Sequence, residues 1–226
     1  MDIKSMHYEF KLRFNKLDSN DRREYKAPEI DVLLNMAQDT FIKRHIPYAD
    51  FNRGIEYNQR STENLRSLVV NQTSGVALTG GVASLPNDYL YFLSGFAVIE
   101  RAGKNKTVRV KVYQHDDVLG NFDEPSFMWN HVPVRFTDSG IRVEEKGFNV
   151  SSLRLNYIRQ PKWMHNAEDW QGGQYNYNGV TYSGTQDCEL SDIAHREIVE
   201  LAVVLGSESS DSPMVERKLS MLQINH

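Results

Sequence analysis

The chain has 226 residues, with 26 Lys and Arg against 30 Asp and Glu, a net charge of -4, 40% hydrophobic residues and one cysteine. At roughly 150 residues per domain, this length suits one large unit or two small interleaved ones and excludes two independent full-size domains. No apolar run approaches the ~20 residues that cross a bilayer, and the charged opening MDIKSMHYEF lacks the apolar core of a signal peptide, so the sequence predicts a protein made in a cytosol without a membrane partner. Cys188 by itself can form neither an internal disulfide nor a thiolate zinc site.

Charge is unevenly spread. Lys and Arg number 12 against 11 Asp and Glu in residues 1–66, 11 against 11 in 67–186, and 3 against 8 in 187–226. A protein that wraps nucleic acid regardless of sequence needs the opposite balance, because affinity comes from neutralising phosphates, so tight DNA binding by a single copy is not expected.

In the first segment Ile3, Met6, Phe10, Phe14 and Leu17 fall at helical spacing, while Tyr8, Phe10, Leu12 and Phe14 alternate as in a strand; helix is the better reading, ended by the turn-forming run 17–21. Pro28 suits the start of a second helix, where its missing N–H costs nothing, and Ile30, Leu33, Leu34, Ala37, Phe41 and His45 make one face before Pro47 closes it. Ser61 or Thr62 can cap a shorter helix carrying Leu65, Leu68 and Val69, with Gly75, Gly80 and Gly81 breaking the pattern beyond it.

The period changes at Leu85. Residues 85–91 read as a turn into a strand that runs to Arg101, and 103–106 read as the turn before a return strand, 107–113, in which Val108, Val110 and Val112 alternate with polar residues. Further strands are expected at 141–145 and 153–159, and a long hairpin or surface loop at 171–186. Helical spacing returns in Ile193, Ala194, Ile198, Leu201, Ala202 and Leu205, with Asp192 in the first turn and Gly206 as the expected stop; Pro213 opens a last helix bearing Val215, Leu219 and Leu222.

Chemistry is sparse. Phosphate-loop, GxGxxG, HExxH, GxSxG and paired CxxC patterns are all absent. His115, Asp116 and Asp117 read better as a polar turn than as metal ligands, and Cys188 seven residues before His195 reads as a structural cysteine. Lys104, Lys106, Arg109 and Lys111 could meet DNA phosphates weakly, though a solvated face explains them better. Trp129, Trp163, Trp170, Tyr175, Tyr177 and Tyr182 could stack sugars, but aromatic residues also fill sheet cores and interfaces. The sequons at Asn71 and Asn149 read as coincidence without a secretory signal.

Four segments carry a family likeness: 8–19 with the helix after Pro28; Leu85-Pro86-Asn87-Asp88-Tyr89; Leu155-Asn156-Tyr157-Ile158-Arg159-Gln160-Pro161; and 188–192 running into His195-Arg196-Glu197-Ile198-Val199-Glu200-Leu201-Ala202-Val203. In this order the chain resembles the head-to-tail adaptor (tail tubular or ring) proteins of short-tailed bacteriophages, and among them those of the crAss-like phages. Ser191 stands where that family commonly has a proline, and residues 115–140 match loosely. The resemblance implies a structural virion protein and not an enzyme: a homo-oligomeric ring, commonly a dodecamer, below the portal at the head–tail junction, assembled in the host cytoplasm, extending the DNA channel and docking further tail or ring proteins. It implies no cofactor and no metal. The alternative is a carbohydrate-recognition module of a phage tail.

The expected fold is therefore α+β. A helical bundle is formed by 1–80 with 187–226, the latter ending in a C-terminal arm, and an antiparallel β-sandwich or barrel-like domain, 81–186, is inserted between them. Leu190, His195, Met214, Val215, Leu219, Met221 and Leu222 are the expected interface residues.

Overall fold

The computed structural model describes residues 1–17, 24–46, 63–101, 103–113, 130–143 and 148–207. They fall into two compact units: 1–17, 24–46, 63–67 and 161–207 in the first, and the remainder of 68–160 in the second.

The first unit is built on three helices. In α1, Ile3–Leu17, the buried Ile3, Met6, His7, Phe10 and Phe14 recur at the spacing that keeps one stripe inward. In α2, Ala27–His45, a proline sits in the first turn and Glu29 accepts the Lys26 N–H at 2.9 Å, so the helix begins with one of its free donors satisfied. The third helix, α3, Asp192–Ser207, packs on both α1 and α2. Gly206 does not stop it. The residue lies inside the helix, where an added Cβ would meet Leu33 Cδ1 at 3.2 Å, and its carbonyl accepts the Tyr25 hydroxyl at 2.8 Å. A small residue suits this position because Leu33 and Phe10 crowd it, while Tyr25 packs edge-on to Phe10 and Phe14 at 5.7 and 4.9 Å beside it. Ile193, expected on the buried face, is 82% exposed, since the inward stripe of α3 runs through Ala194, Ile198 and Leu201 instead.

Residues 161–186 pack with the helices, not with the sheet. Asn35 of α2 holds the Met164 backbone at both ends, donating to its carbonyl at 2.8 Å and accepting its N–H at 2.9 Å. The segment forms a hairpin, Gln174–Tyr177 with Val180–Ser183, whose Asn178-Gly179 turn has φ of 50° and 78°, the two positive values that a tight hairpin turn requires. A further short pair joins His165–Asn166 to Thr185–Gln186.

The second unit is one seven-stranded sheet. In chain order its strands are β1 (Val69–Asn71), β2 (Val82–Ala83), β3 (Tyr89–Arg101), β4 (Lys104–Val112), β5 (His131–Thr137), β6 (Gly140–Val143) and β7 (Asn149–Arg159). Their order across the sheet is β1-β7-β3-β4-β5-β6-β2. Every pairing is antiparallel except β4 with β5, which is parallel, so a wholly antiparallel domain is corrected. The described strands of this unit lie in a single sheet; two sheets facing one another, as a sandwich needs, are not seen among them. The core is the even face of β4 with its neighbours: Ala97, Ile99, Val108, Val132, Val134, Ile141, Leu153 and Leu155. The expected helix through Val69 is corrected to a 3-10 turn at Arg66–Leu68 followed by β1, because β-branched Val69 and Val70 pair with Ile158 and Tyr157. The expected turn 18–21, Pro47, Ser61, Thr62, residues 115–117, Trp129 and the helix expected after Pro213 lie outside the described residues.

Candidate functional site

Two kinds of surface and one buried cluster could carry function. The buried cluster is centred on Asp31 of α2, which is 0% exposed. His7 Nε2 lies 2.7 Å from Asp31 Oδ1, where the ring N–H donates to the carboxylate; Tyr175 donates its hydroxyl to Oδ2 at 2.8 Å, and the Asn166 backbone N–H reaches both oxygens at 3.1 Å. A buried carboxylate is tolerated only when its lone pairs are filled, and here three donors from α1 and the 161–186 segment fill them. Burial, first, and the bond to Asp31 push the Tyr175 phenol well above its ordinary value, so it remains a neutral donor. The arrangement ties α1, α2 and 161–186 together. Its members are buried and bound to one another, which is the arrangement of a fastener.

Cys188 is buried and donates to Gln38 Oε1 at 3.3 Å, and burial pushes its thiol up to about 11. His195 turns to a different partner, with Nε2 donating to the Leu190 carbonyl at 3.0 Å, and burial holds its ring below the ordinary imidazole value. Cysteine and histidine are therefore separate structural groups. Against an ordinary thiol near 9, the raised value leaves about 100-fold less thiolate at pH 8. Ellman's reagent is accordingly expected to react with the folded protein at least that much more slowly than with the denatured chain; equal rates would show the thiol to be open.

Of the expected interface residues, Leu190 and His195 are buried inside the first unit, which explains their apolar or neutral character without a neighbour. Met214, Val215, Leu219, Met221 and Leu222 lie outside the described residues. The tyrosine-rich segment spends its ring faces on itself: Trp163 stacks on Tyr177 at 5.1 Å and on Tyr182 at 5.9 Å, Tyr175 sits 5.4 Å from Tyr182, and Lys26 lies over Trp170. Among the described rings Tyr175 is buried, and Trp163, Trp170, Tyr177 and Tyr182 are half-buried.

What the sequence did not single out is the outer side of α1 and α3. Tyr8 is 68% exposed and Leu12, one turn on, 42%. They line an open groove of about 840 Å³ with Lys4, Glu9, Arg13 and Arg196. Arg13 binds Glu9 and Glu200 across its rim, which holds the two helices side by side. The signal was available: Tyr8 and Leu12 are four residues apart and off the Ile3, Met6, Phe10 stripe.

The basic residues of the sheet divide by parity. Lys104 and Lys106 share the face of Val108, whereas Arg109 and Lys111 point the other way, and all four are exposed. Lys106 reaches Asn130 at 3.5 Å and Lys111 lies over the Tyr113 ring at 5.1 Å. Among the described residues no group of three or more His, Cys, Asp or Glu could hold a metal ion, and no described helix is long and apolar enough to cross a membrane.

No family model matches the chain. It is similar to Ring protein 4/5 of Bacteroides phage crAss001, 24% identical over 222 residues that cover 91% of this chain and 92% of that protein. The likeness to crAss-like phage ring proteins carried by the four sequence segments thus extends over nearly the whole length.

Proposed function

We propose that this chain is a structural virion protein that assembles into a ring at the head–tail junction of a phage. The observation that carries this reading is its near full-length similarity to a phage ring protein. As a connector adaptor, the ring sits below the portal, extends the DNA channel and offers a platform to the next tail component, most simply as a dodecamer matching a twelvefold portal. A closed ring above a dimer needs a heterologous interface, one patch meeting a different patch on the next copy. The groove of Tyr8 and Leu12 supports this, being an exposed apolar strip with charged rims on the helical unit. The C-terminal segment, with Met214, Val215, Leu219, Met221 and Leu222, supplies an arm for a neighbour or the portal. A genome must slide through such a channel, so its wall carries acidic or mixed charge, and phosphate contacts are weak at physiological salt.

Light scattering and negative-stain microscopy of the protein with and without its portal test the reading. Rings are expected, on their own or on the portal, and deletion of 213–226 is expected to leave a folded protein that no longer enters them. A protein that stays monomeric in both mixtures and is absent from purified virions would overturn the assignment, while normal assembly of the truncated chain would remove the arm alone.

A further inference from the structure

The register of the sheet gathers cations that are scattered in the sequence. Arg154 of β7 pairs with Phe96 of β3, Phe96 with Arg109 of β4, and Arg109 with His131 of β5, so these four side chains form one row across the face opposite the core. One step along β4 stands Lys111, and on the same face Arg135 of β5, half-buried and already partnered, pairs with Arg142 of β6, which is exposed but also has a partner. Arg109, Lys111, Arg142 and Arg154 are exposed, and Phe96 is 37% exposed between two of them. Arg109 and Arg154 make no ion pair among the described residues, and the only carboxylate that the described strands add to this face is Glu100, out at the end of β3.

We propose that this face docks the phosphodiester backbone of nucleic acid. Its cations recur at sheet spacings, about 4.8 Å per strand across and about 6.7 Å between alternate residues along a strand, which spreads donors over an extended anion and not around one small one. Guanidinium groups dominate it, and their planar forks match phosphate oxygens two bonds at a time. Strand backbone fixes their spacing in advance, so docking orders side chains only. The face belongs to a single copy and stands whether or not the chain forms a ring. It also redraws the sequence-based cluster: Arg109 and Lys111 belong to the face with Arg142 and Arg154, and Lys104 and Lys106 do not.

Fluorescence anisotropy of a labelled duplex of about 20 base pairs, titrated with the full chain, tests this, with circular dichroism confirming that each variant is folded. Saturable binding is expected at 50 mM salt. With about two to four phosphate contacts it should weaken about 10- to 100-fold by 200 mM salt, leaving affinity poorer than micromolar near physiological ionic strength. The double variant R109E/R154E should lose at least tenfold at 50 mM, and the charge-matched K104E/K106E, on the other face, less than threefold. Absence of wild-type binding at 50 mM would overturn the proposal. So would equal losses in the two variants, which would mark a general field with no docking face, or equally tight binding of polyglutamate, which would mark a site for an acidic protein segment.

Discussion

Replacing Asp31 by alanine is expected to cost about 3 to 5 kcal/mol of folding stability. The carboxylate is the acceptor for the His7 ring, the Tyr175 hydroxyl and the Asn166 N–H, and His7 is itself only 2% exposed. Without it, three buried donors from two other parts of the chain lose their acceptor. Each donor then bears its desolvation cost unrelieved. Tyr175→Phe removes one donor and leaves the carboxylate with two, so about 1.5 to 3 kcal/mol is expected. Because both variants break the same cluster, the double variant should lose less than the two losses added together. Urea denaturation followed by circular dichroism measures all three. A loss under about 1 kcal/mol for Asp31→Ala would mean that water replaces the carboxylate, and that the cluster does not fasten 161–186 to the helices.

That fastening was not legible in the sequence, and the reason is physical. Asp31 follows Ile30 and precedes Leu33 and Leu34, where one acidic residue reads as the wet edge of an apolar stripe; its partners lie 24, 135 and 144 residues away along the chain. The helices themselves were legible because each buries one face at a period of 3.6, as Ile3, Met6, Phe10 and Phe14 do. The hairpin of β3 and β4 was legible for the same kind of reason, three alternating valines in one strand and a run of aromatic and β-branched residues in the other. Alternation says which face of a strand is dry but nothing about its neighbour. Hence the parallel pairing of β4 with β5 could not be read, nor could the row from Arg154 to His131, which exists only through register. Ile193 failed in the other direction: on a helix whose neighbours Ala194 and Ile198 are buried, periodicity one residue off still looks apolar, and the structure places it in solvent.

Gly140→Ala is expected to destabilise the sheet by about 3 kcal/mol or more, and to do so at the edge where β2 joins it. Gly140 ends the turn between β5 and β6 with φ of 135°, a value L side chains rarely adopt, and Thr137 donates its hydroxyl to the Gly140 carbonyl at 2.9 Å, which holds the turn in that shape. Strain of this kind costs about 1 to 3 kcal/mol. The added methyl would also be driven onto the Ala83 carbonyl oxygen, with the Ala83 carbonyl carbon at 3.2 Å and the Ser84 Cα at 3.3 Å just behind. These are backbone atoms of an edge strand held by its pairing with Ile141 and Arg142, so the clash is relieved only by moving β2 off β6. That exposes Ala83 and Ile141, both fully buried, and adds about 1 to 3 kcal/mol for displaced packing. Gly103→Ala separates the two contributions. Gly103 also has a positive φ, 74°, but an added Cβ there meets nothing within 4 Å, so only the backbone cost of about 1 to 2 kcal/mol should appear. Thermal unfolding of the two variants side by side decides it: a Gly140→Ala loss no greater than that of Gly103→Ala would mean that β2 yields without cost and that the edge pairing contributes little to the stability of the sheet.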